Sequence, residues 1–218
     1  METGATILTL EAATAELHHP VVDLTVVSGD RLVLAGGTGD LHSAVLHLLA
    51  GAVRPAAGTV RYRGRDIWQE ADQRVALARH VGFCFAGYGL INNMNVEENI
   101  LLPLAYHNGR YDAAAAGRVV SHFGLEPIRR QRPALISEEE RILAGLARAF
   151  VIDPEAVLFD CPEHLYTERI AGRLKAMLAR SPAAFVAAGR YMALTGGAWR
   201  TIQLNSGTIV ENKHAVEK

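Results

Sequence analysis

Leu34-Ala35-Gly36-Gly37-Thr38-Gly39-Asp40-Leu41-His42-Ser43, followed by an apolar helical run, is the stretch on which the fold turns. A phosphate-binding loop reads G-x-x-x-x-G-K-[ST]: backbone N–H groups cradle phosphates, the Lys reaches them, and the hydroxyl holds Mg²⁺. Gly36 and Ser43 keep their places, whereas Leu41 stands at the second Gly, His42 replaces the Lys, and Asp40 adds a carboxylate. A charge-assisted hydrogen bond contributes about 1.5–3 kcal/mol, and an imidazole is charged far less of the time than an ammonium near neutral pH. A carboxylate about 4 Å from a phosphate charge costs about 4 kcal/mol at an effective dielectric of about 20, and Leu41 adds a Cβ where backbone must approach closely. At about 1.4 kcal/mol per tenfold in affinity, these terms predict a degenerate loop without detectable nucleotide. The competing reading is a Gly-rich strand-to-helix turn that never bound phosphate.

With 218 residues, 50% of them hydrophobic, the chain is long enough for one sizeable core, or a core with a smaller inserted lobe. Lys and Arg number 22 against 23 Asp and Glu, for a net charge of −1. That balance excludes the global positive field that draws a protein to nucleic acid or anionic lipid. The longest apolar runs, such as Leu46 to Val53 and Ala183 to Ala188, fall short of the about 20 residues that span a bilayer. No charged-then-apolar leader opens the sequence, so a soluble, intracellular protein is expected. Cys84 and Cys161 sit among apolar neighbours, which suits a reducing compartment.

Alternation and turn signals predict strands at Ile7–Leu10, Val21–Val27 and Arg31–Ala35, with Ser28-Gly29-Asp30 as a tight hairpin connection. A helix follows the loop and closes near Gly51, and Thr59–Arg63 leads through Gly64 into a second hairpin at Asp66-Ile67-Trp68. Asp72–Arg79 reads as a short helix before the buried strand Val81–Phe85. From Val96 to Phe123 the pattern is helical, with Pro103 and Asn108-Gly109 as breaks. Beyond it, Ser137 opens a helix through Phe150, ended by Asp153-Pro154; strand Ala156–Phe159, helix Glu163–Ala179 and strand Ala184–Ala188 then make a β-α-β alternation. Trp199–Leu204 and Thr208–Glu211 form a closing hairpin.

In this order the pieces resemble the nucleotide-binding subunit of an ATP-binding-cassette (ABC) transporter, over about residues 6–212. Leu48-Leu49-Ala50-Gly51 with Pro55 and Gly58-Thr59-Val60 resembles the segment after the family's phosphate loop. Tyr88-Gly89-Leu90, Asn95-Val96-Glu97-Glu98-Asn99-Ile100 and Pro103-Leu104 resemble the segment after its Q-loop. Ala147-Arg148-Ala149, Asp153-Pro154-Glu155 and Val157-Leu158-Phe159-Asp160 resemble the run from signature helix to Walker B strand. The resemblance implies an α/β, ABC-type P-loop NTPase fold: a RecA-like core with an N-terminal antiparallel β subdomain and an inserted helical lobe. It also implies one domain over residues 1–218, its core at about 1–86 and 136–218 and its lobe at about 87–135.

Departures fall at the positions that carry the family's chemistry. Ala86 stands at the Q-loop Gln, Cys161 at the general-base Glu, and Gly189 at the switch His, while Asp160 survives as the Walker B Asp. The signature L-S-G-G-Q/E aligns with Ile136-Ser137-Glu138-Glu139-Glu140, where Ser137-x-x-Glu140 is also a capping box. Gly36, Gly39, His42, Ser43 and Asp160 then form a vestigial nucleotide site. Asp40 and Glu138–Glu140 are expected either to act as built-in anions in place of phosphates or simply to face solvent.

The function these departures imply is a catalytically inactive ATPase-like subunit, a pseudo-ATPase with no cofactor. It would dock on a membrane permease through Tyr88, Leu90, Met94, Val96 and Glu97, and pair with a like subunit as a homo- or heterodimer. It would work at the cytoplasmic face of the cell membrane without nucleic acid, and a narrower resemblance is to ATPases of Mce-type lipid transporters. Two alternatives stay open. One is a regulatory subunit that binds ATP and Mg²⁺ with little hydrolysis; the other is a metal or thiol site at Cys161 and His164, spaced C-x-x-H. Otherwise no metal is expected, and His18-His19, His47 and His122 read as structural or solvated.

Overall fold

The computed structural model describes residues 4–37, 39–85, 89–109, 112–189, 199–205 and 208–212. Strands β1 (Thr6–Thr14), β2 (Val22–Val27), β4 (Ala57–Tyr62) and β5 (Arg65–Asp66) form an antiparallel sheet in the order β2-β1-β4-β5. A second sheet takes β3 (Arg31–Ala35), β6 (Val81–Cys84), β7 (Ala156–Phe159), β8 (Ala184–Ala188), β9 (Arg200–Asn205) and β10 (Thr208–Asn212). Its order is β10-β9-β3-β8-β7-β6, parallel except for the β9–β10 hairpin.

β7 and β8 are apolar and buried at every position, as strands covered on both faces must be. Their side chains alternate between two apolar layers. Leu32, Leu34, Leu158 and Val186 face β1, β2, β4 and helix α1 (Gly39–Leu49). Val33, Val157, Phe159 and Phe185 face the layer built from α3 (Val96–Asn108), α4 (Ala113–Phe123), α5 (Glu138–Phe150) and α6 (Glu168–Leu178). Helix α2 (Ala71–His80) leads into β6.

Three local expectations give way to longer-range contacts. Ser28-Gly29-Asp30 does not close a hairpin, because β2 stays with β1 while β3 enters the parallel sheet. The Arg31 guanidinium donates to the carbonyls of Leu178, Ser181 and Ala183, and the Asp30 carboxylate accepts from Val27 N–H and Arg200. These bonds fix the start of β3 against the lead-in to β8. Pro103 does not break α3, which runs to Asn108 and ends at Gly109 in the left-handed conformation. Burial of Asn99, Ile100 and Leu101 outweighs the one backbone bond that proline removes. The helix expected over Glu163–Ala179 is a 3-10 turn at Glu163–Leu165 followed by α6, because Thr167 takes the N-cap and accepts from Ile170 N–H at 3.3 Å.

Four buried groups, Cys84, Tyr62, Cys161 and Tyr166, hold their protons more tightly in the fold and make stability depend on alkaline pH. Burial pushes the Cys84 thiol up to about 12, with Asp160 adding to the rise. Burial, with Glu155 beside it, lifts the Tyr62 phenol to about 12, and that hydroxyl donates to Glu155 at 3.2 Å. Ordinary values are about 8.5 and 10, so each group holds its proton more tightly folded than unfolded. The contribution is complete below the unfolded values and is lost as pH rises toward the folded ones. The urea midpoint should therefore fall between about pH 9 and pH 12, and the double variant Cys84→Ala, Tyr62→Phe should make that fall shallower, with Cys161 and Tyr166 keeping the remainder. An unchanged slope in the double variant would refute the assignment.

Candidate functional site

β3, β8 and β7 are parallel neighbours, with Leu34 opposite Ala188 and Phe159 opposite Ala187. Gly36, Gly189 and Asp160 therefore leave the sheet along one edge, the carboxyl edge where α/β folds place ligands. Gly36 and Gly37 adopt left-handed backbone, φ 75° and 63°. A Cβ on Gly37 would lie 2.6 Å from the Leu204 carbonyl oxygen, so the tight turn admits no side chain there. Helix α1 begins at Gly39, so its first-turn N–H groups start at the loop.

The three substitutions in the loop sit differently from what the sequence suggests. Leu41 is 7% exposed and packs into the core beneath the loop, beside Gly37, so its side chain leaves the outer face clear. Asp40 is exposed in the first turn of α1, with no hydrogen bond among the described residues. In water its repulsion of a phosphate about 4 Å away falls to about 1 kcal/mol. It is no built-in anion filling the cradle. The His42 ring Nε2–H donates to the Gly36 carbonyl at 2.5 Å and ties the loop's first residue to the helix. Ser43 is half-buried one residue on.

Asp160 follows β7. Its N–H donates to the Cys84 carbonyl at 2.9 Å, and its carboxylate is 6% exposed with Oδ2 buried and without a hydrogen-bond partner. A buried carboxylate oxygen left unpaired costs free energy unless a cation meets it. That orphan, the first-turn amides of α1 and the Ser43 hydroxyl fit a magnesium-bound polyphosphate. A Lys at this position would carry a longer side chain with a fixed ammonium toward the phosphates. We predict that His42→Lys tightens Mg-ATP binding about tenfold or more, from a charge-assisted bond of about 1.5–3 kcal/mol, as read by calorimetry. Equal affinity would show that residue 42 does not reach the phosphates.

Cys161 is buried, and burial raises its thiol far above the ordinary range, with Cys84 and Asp160 reinforcing the effect. It is a neutral thiol whose Sγ lies 3.5 Å from the Pro162 carbonyl. His164 is exposed, and among the described residues the two belong to no metal-ligating group. The Gly189 N–H donates to the Leu34 carbonyl at 3.0 Å. Ala86 and Tyr88 lie outside the described residues.

Ser137 caps α5, and the capping box with Glu140 is present. Glu139 accepts from the Thr167 hydroxyl and from Arg169, the latter at 2.9 Å. Glu140 serves its own cap and Glu139 braces α6, so neither stands in for phosphate. Glu138 is exposed, with no partner among the described residues.

The expected permease-facing set also divides. Leu90 and Met94 are half-buried at the surface. Val96 is fully buried, and Glu97 is 9% exposed and pairs with Arg130 at 3.1 Å, so these two anchor α3 from within. Sequence patterning missed Asn99, a buried hub that binds both backbone groups of Ile91 and the carbonyls of Met94 and Asn95. It also missed a groove of about 340 Å³ between β6 and α3, lined by Phe83, Phe85, Leu102 and Tyr106. Arg148 sits at its base and donates to the Gly89 carbonyl at 2.6 Å. The one available signal was an Asn at a core position of α3.

Residues 20–164 match the ABC transporter family. The chain is 29% identical over 199 residues to the lipoprotein-releasing system ATP-binding protein LolD of Chromohalobacter salexigens, covering 88% of this chain and 84% of that protein. It is 32% identical over 158 residues to LolD of Legionella pneumophila, covering 70% and 69%. The ATP-binding cassette MJ0796, in a dimeric post-hydrolysis state bound to ADP and Pi, superposes with a TM-score of 0.80 at 19% identity, over 95% of this chain and 98% of that one. The fold is thus the ABC-type P-loop NTPase fold. The relatives are ATP-binding proteins, and this overturns the expectation of a pseudo-ATPase with a degenerate loop and no cofactor, along with the Mce-type resemblance. The physical error lay in treating Leu41 and Asp40 as obstructions when one is buried under the loop and the other lies in solvent. The chain belongs to the ABC transporter family.

Proposed function

We propose that the chain is the ATP-binding subunit of an ABC transporter, acting as a dimer with a second such subunit against a membrane permease. The observation that carries this is the orphaned Asp160 carboxylate at the sheet edge where the glycine loop opens. Bound Mg-ATP would supply a phosphoanhydride whose cleavage drives transport. Gly36, Gly37 and Gly39 would offer backbone N–H groups to its phosphates, His42 would hold the loop closed, and Ser43 and Asp160 would hold the metal. The α5 N-terminus, capped by Ser137, would face the partner subunit's nucleotide.

No helix among the described residues is long and apolar enough to cross a membrane. In this proposal the permease provides the passage and the subunit works at its cytoplasmic face. The groove lined by Phe83, Phe85, Gly89, Leu102 and Tyr106 suits a short apolar helix of the permease. The lobe at about residues 87–135 would carry that contact. The relatives' names make lipoprotein the cargo class to try first. The test is phosphate release by the co-purified subunit and permease in lipid. Release that requires Mg²⁺ and rises with cargo supports the proposal; its absence from the intact complex contradicts it.

A further inference from the structure

Away from the phosphate loop, the turn between β1 and β2 gathers metal-binding groups. One ligand atom each from Glu16, His18 and His19 lie within 4.8 Å of one another. His18 Nδ1 is 3.5 Å from Glu16 Oε2, and the two imidazoles meet edge to face with centroids 4.5 Å apart. His19 Nδ1 is shielded from solvent and has no hydrogen-bond partner. The turn itself is fixed. Thr14 Oγ1 lies 2.5 Å from the Glu16 carbonyl and 3.1 Å from that of His19, and His19 N–H donates to the Glu16 carbonyl at 2.9 Å.

We propose that this turn is a site for a divalent transition metal, Zn²⁺ above all, with Glu16, His18 and His19 as ligands and water completing the shell. Two imidazoles and a carboxylate form a nitrogen-rich set that suits Zn²⁺, whereas Mg²⁺ and Ca²⁺ take oxygen. In a tetrahedral zinc site with bonds of about 2.0–2.2 Å, ligand atoms stand about 3.4 Å apart. The Glu16 and His18 side chains are 62% and 74% exposed, which leaves them free to turn and the ion an open entry. A bound ion would clamp residues 16–19 of the turn and raise the melting temperature by mass action. His18-His19 then has a role beyond a solvated pair.

The test uses the untagged full chain, stripped of metal and titrated with Zn²⁺ against a chromophoric chelator. One equivalent should bind, about tenfold or more weakly in His18→Ala and in His19→Ala, and about threefold or more weakly in Glu16→Gln. Leu17→Ala, in the same turn and 87% exposed, should bind as the parent does. Co²⁺ should give a visible ligand-field band that both His variants lose. Parent-like affinity in the His variants, or uptake that never saturates at one equivalent, would overturn the site. Should His19→Ala fail to fold, the surface variant His18→Ala decides alone.

Discussion

The Asp160→Asn variant is expected to lose Mg²⁺-dependent ATP turnover by about a hundredfold or more, about 2.7 kcal/mol of transition-state stabilisation. Asp160 is 6% exposed, its buried Oδ2 has no hydrogen-bond partner, and it acts on the two buried thiols Cys84 and Cys161. In the free protein that is a cost. Removing the charge should therefore leave thermal stability equal or raised while turnover falls, the mark of a group held for function rather than folding. Turnover unchanged in Asp160→Asn would place the metal elsewhere. A lowered melting temperature with turnover intact would make Asp160 a structural residue.

Gly82→Ala is expected to cost the fold a large share of its stability. Gly82 lies in β6 directly under α5, and a Cβ there would fall 2.2 Å from the Ala149 carbonyl oxygen and 2.8 Å from its carbon. Those atoms are helix backbone and cannot swing aside. α5 would have to lift, with Leu146, Ala149 and Phe150 losing their fit against the sheet. Overpacking costs about 1–3 kcal/mol where side chains can adjust, so a loss of about 3 kcal/mol or more is expected here, large against a total of about 5–15 kcal/mol. Gly172, inside α6, has open space where its Cβ would go. Gly172→Ala should instead stabilise by about 0.5–1 kcal/mol. Urea unfolding of both variants checks the pair, and equal midpoints would mean that β6 and α5 are not in such close contact.

The sequence carried most of the fold because its core strands announce themselves. Arg31–Ala35, Ala156–Phe159 and Ala184–Ala188 are short apolar runs bounded by turn residues, and they were legible to the residue. Ser28-Gly29-Asp30 was misjudged because a turn signature says only that the chain bends. Whether the next strand returns to its neighbour or crosses to another sheet depends on Arg31 and Asp30 meeting residues about 150 and 170 positions away. At the site, the positions were found but their meaning was not. Motif matching places Leu41, Asp40 and His42 on a line, whereas function depends on which way each points. Leu41 turns into the core, Asp40 into water, and His42 back onto Gly36. Glu139 likewise looked like a phosphate mimic until its partners proved to be Thr167 and Arg169. Asn99 was invisible for the same reason, since its value lies in folding residues 91–95 onto α3.

This loop and Asp160 are expected to hold Mg-ATP, and calorimetric titration of the purified chain decides whether they do. Saturable binding near one nucleotide per chain, weakened by Asp160→Asn and strengthened by His42→Lys, is the predicted result. No heat of binding at millimolar ATP with Mg²⁺ present, from a chain that unfolds cooperatively, would contradict the account.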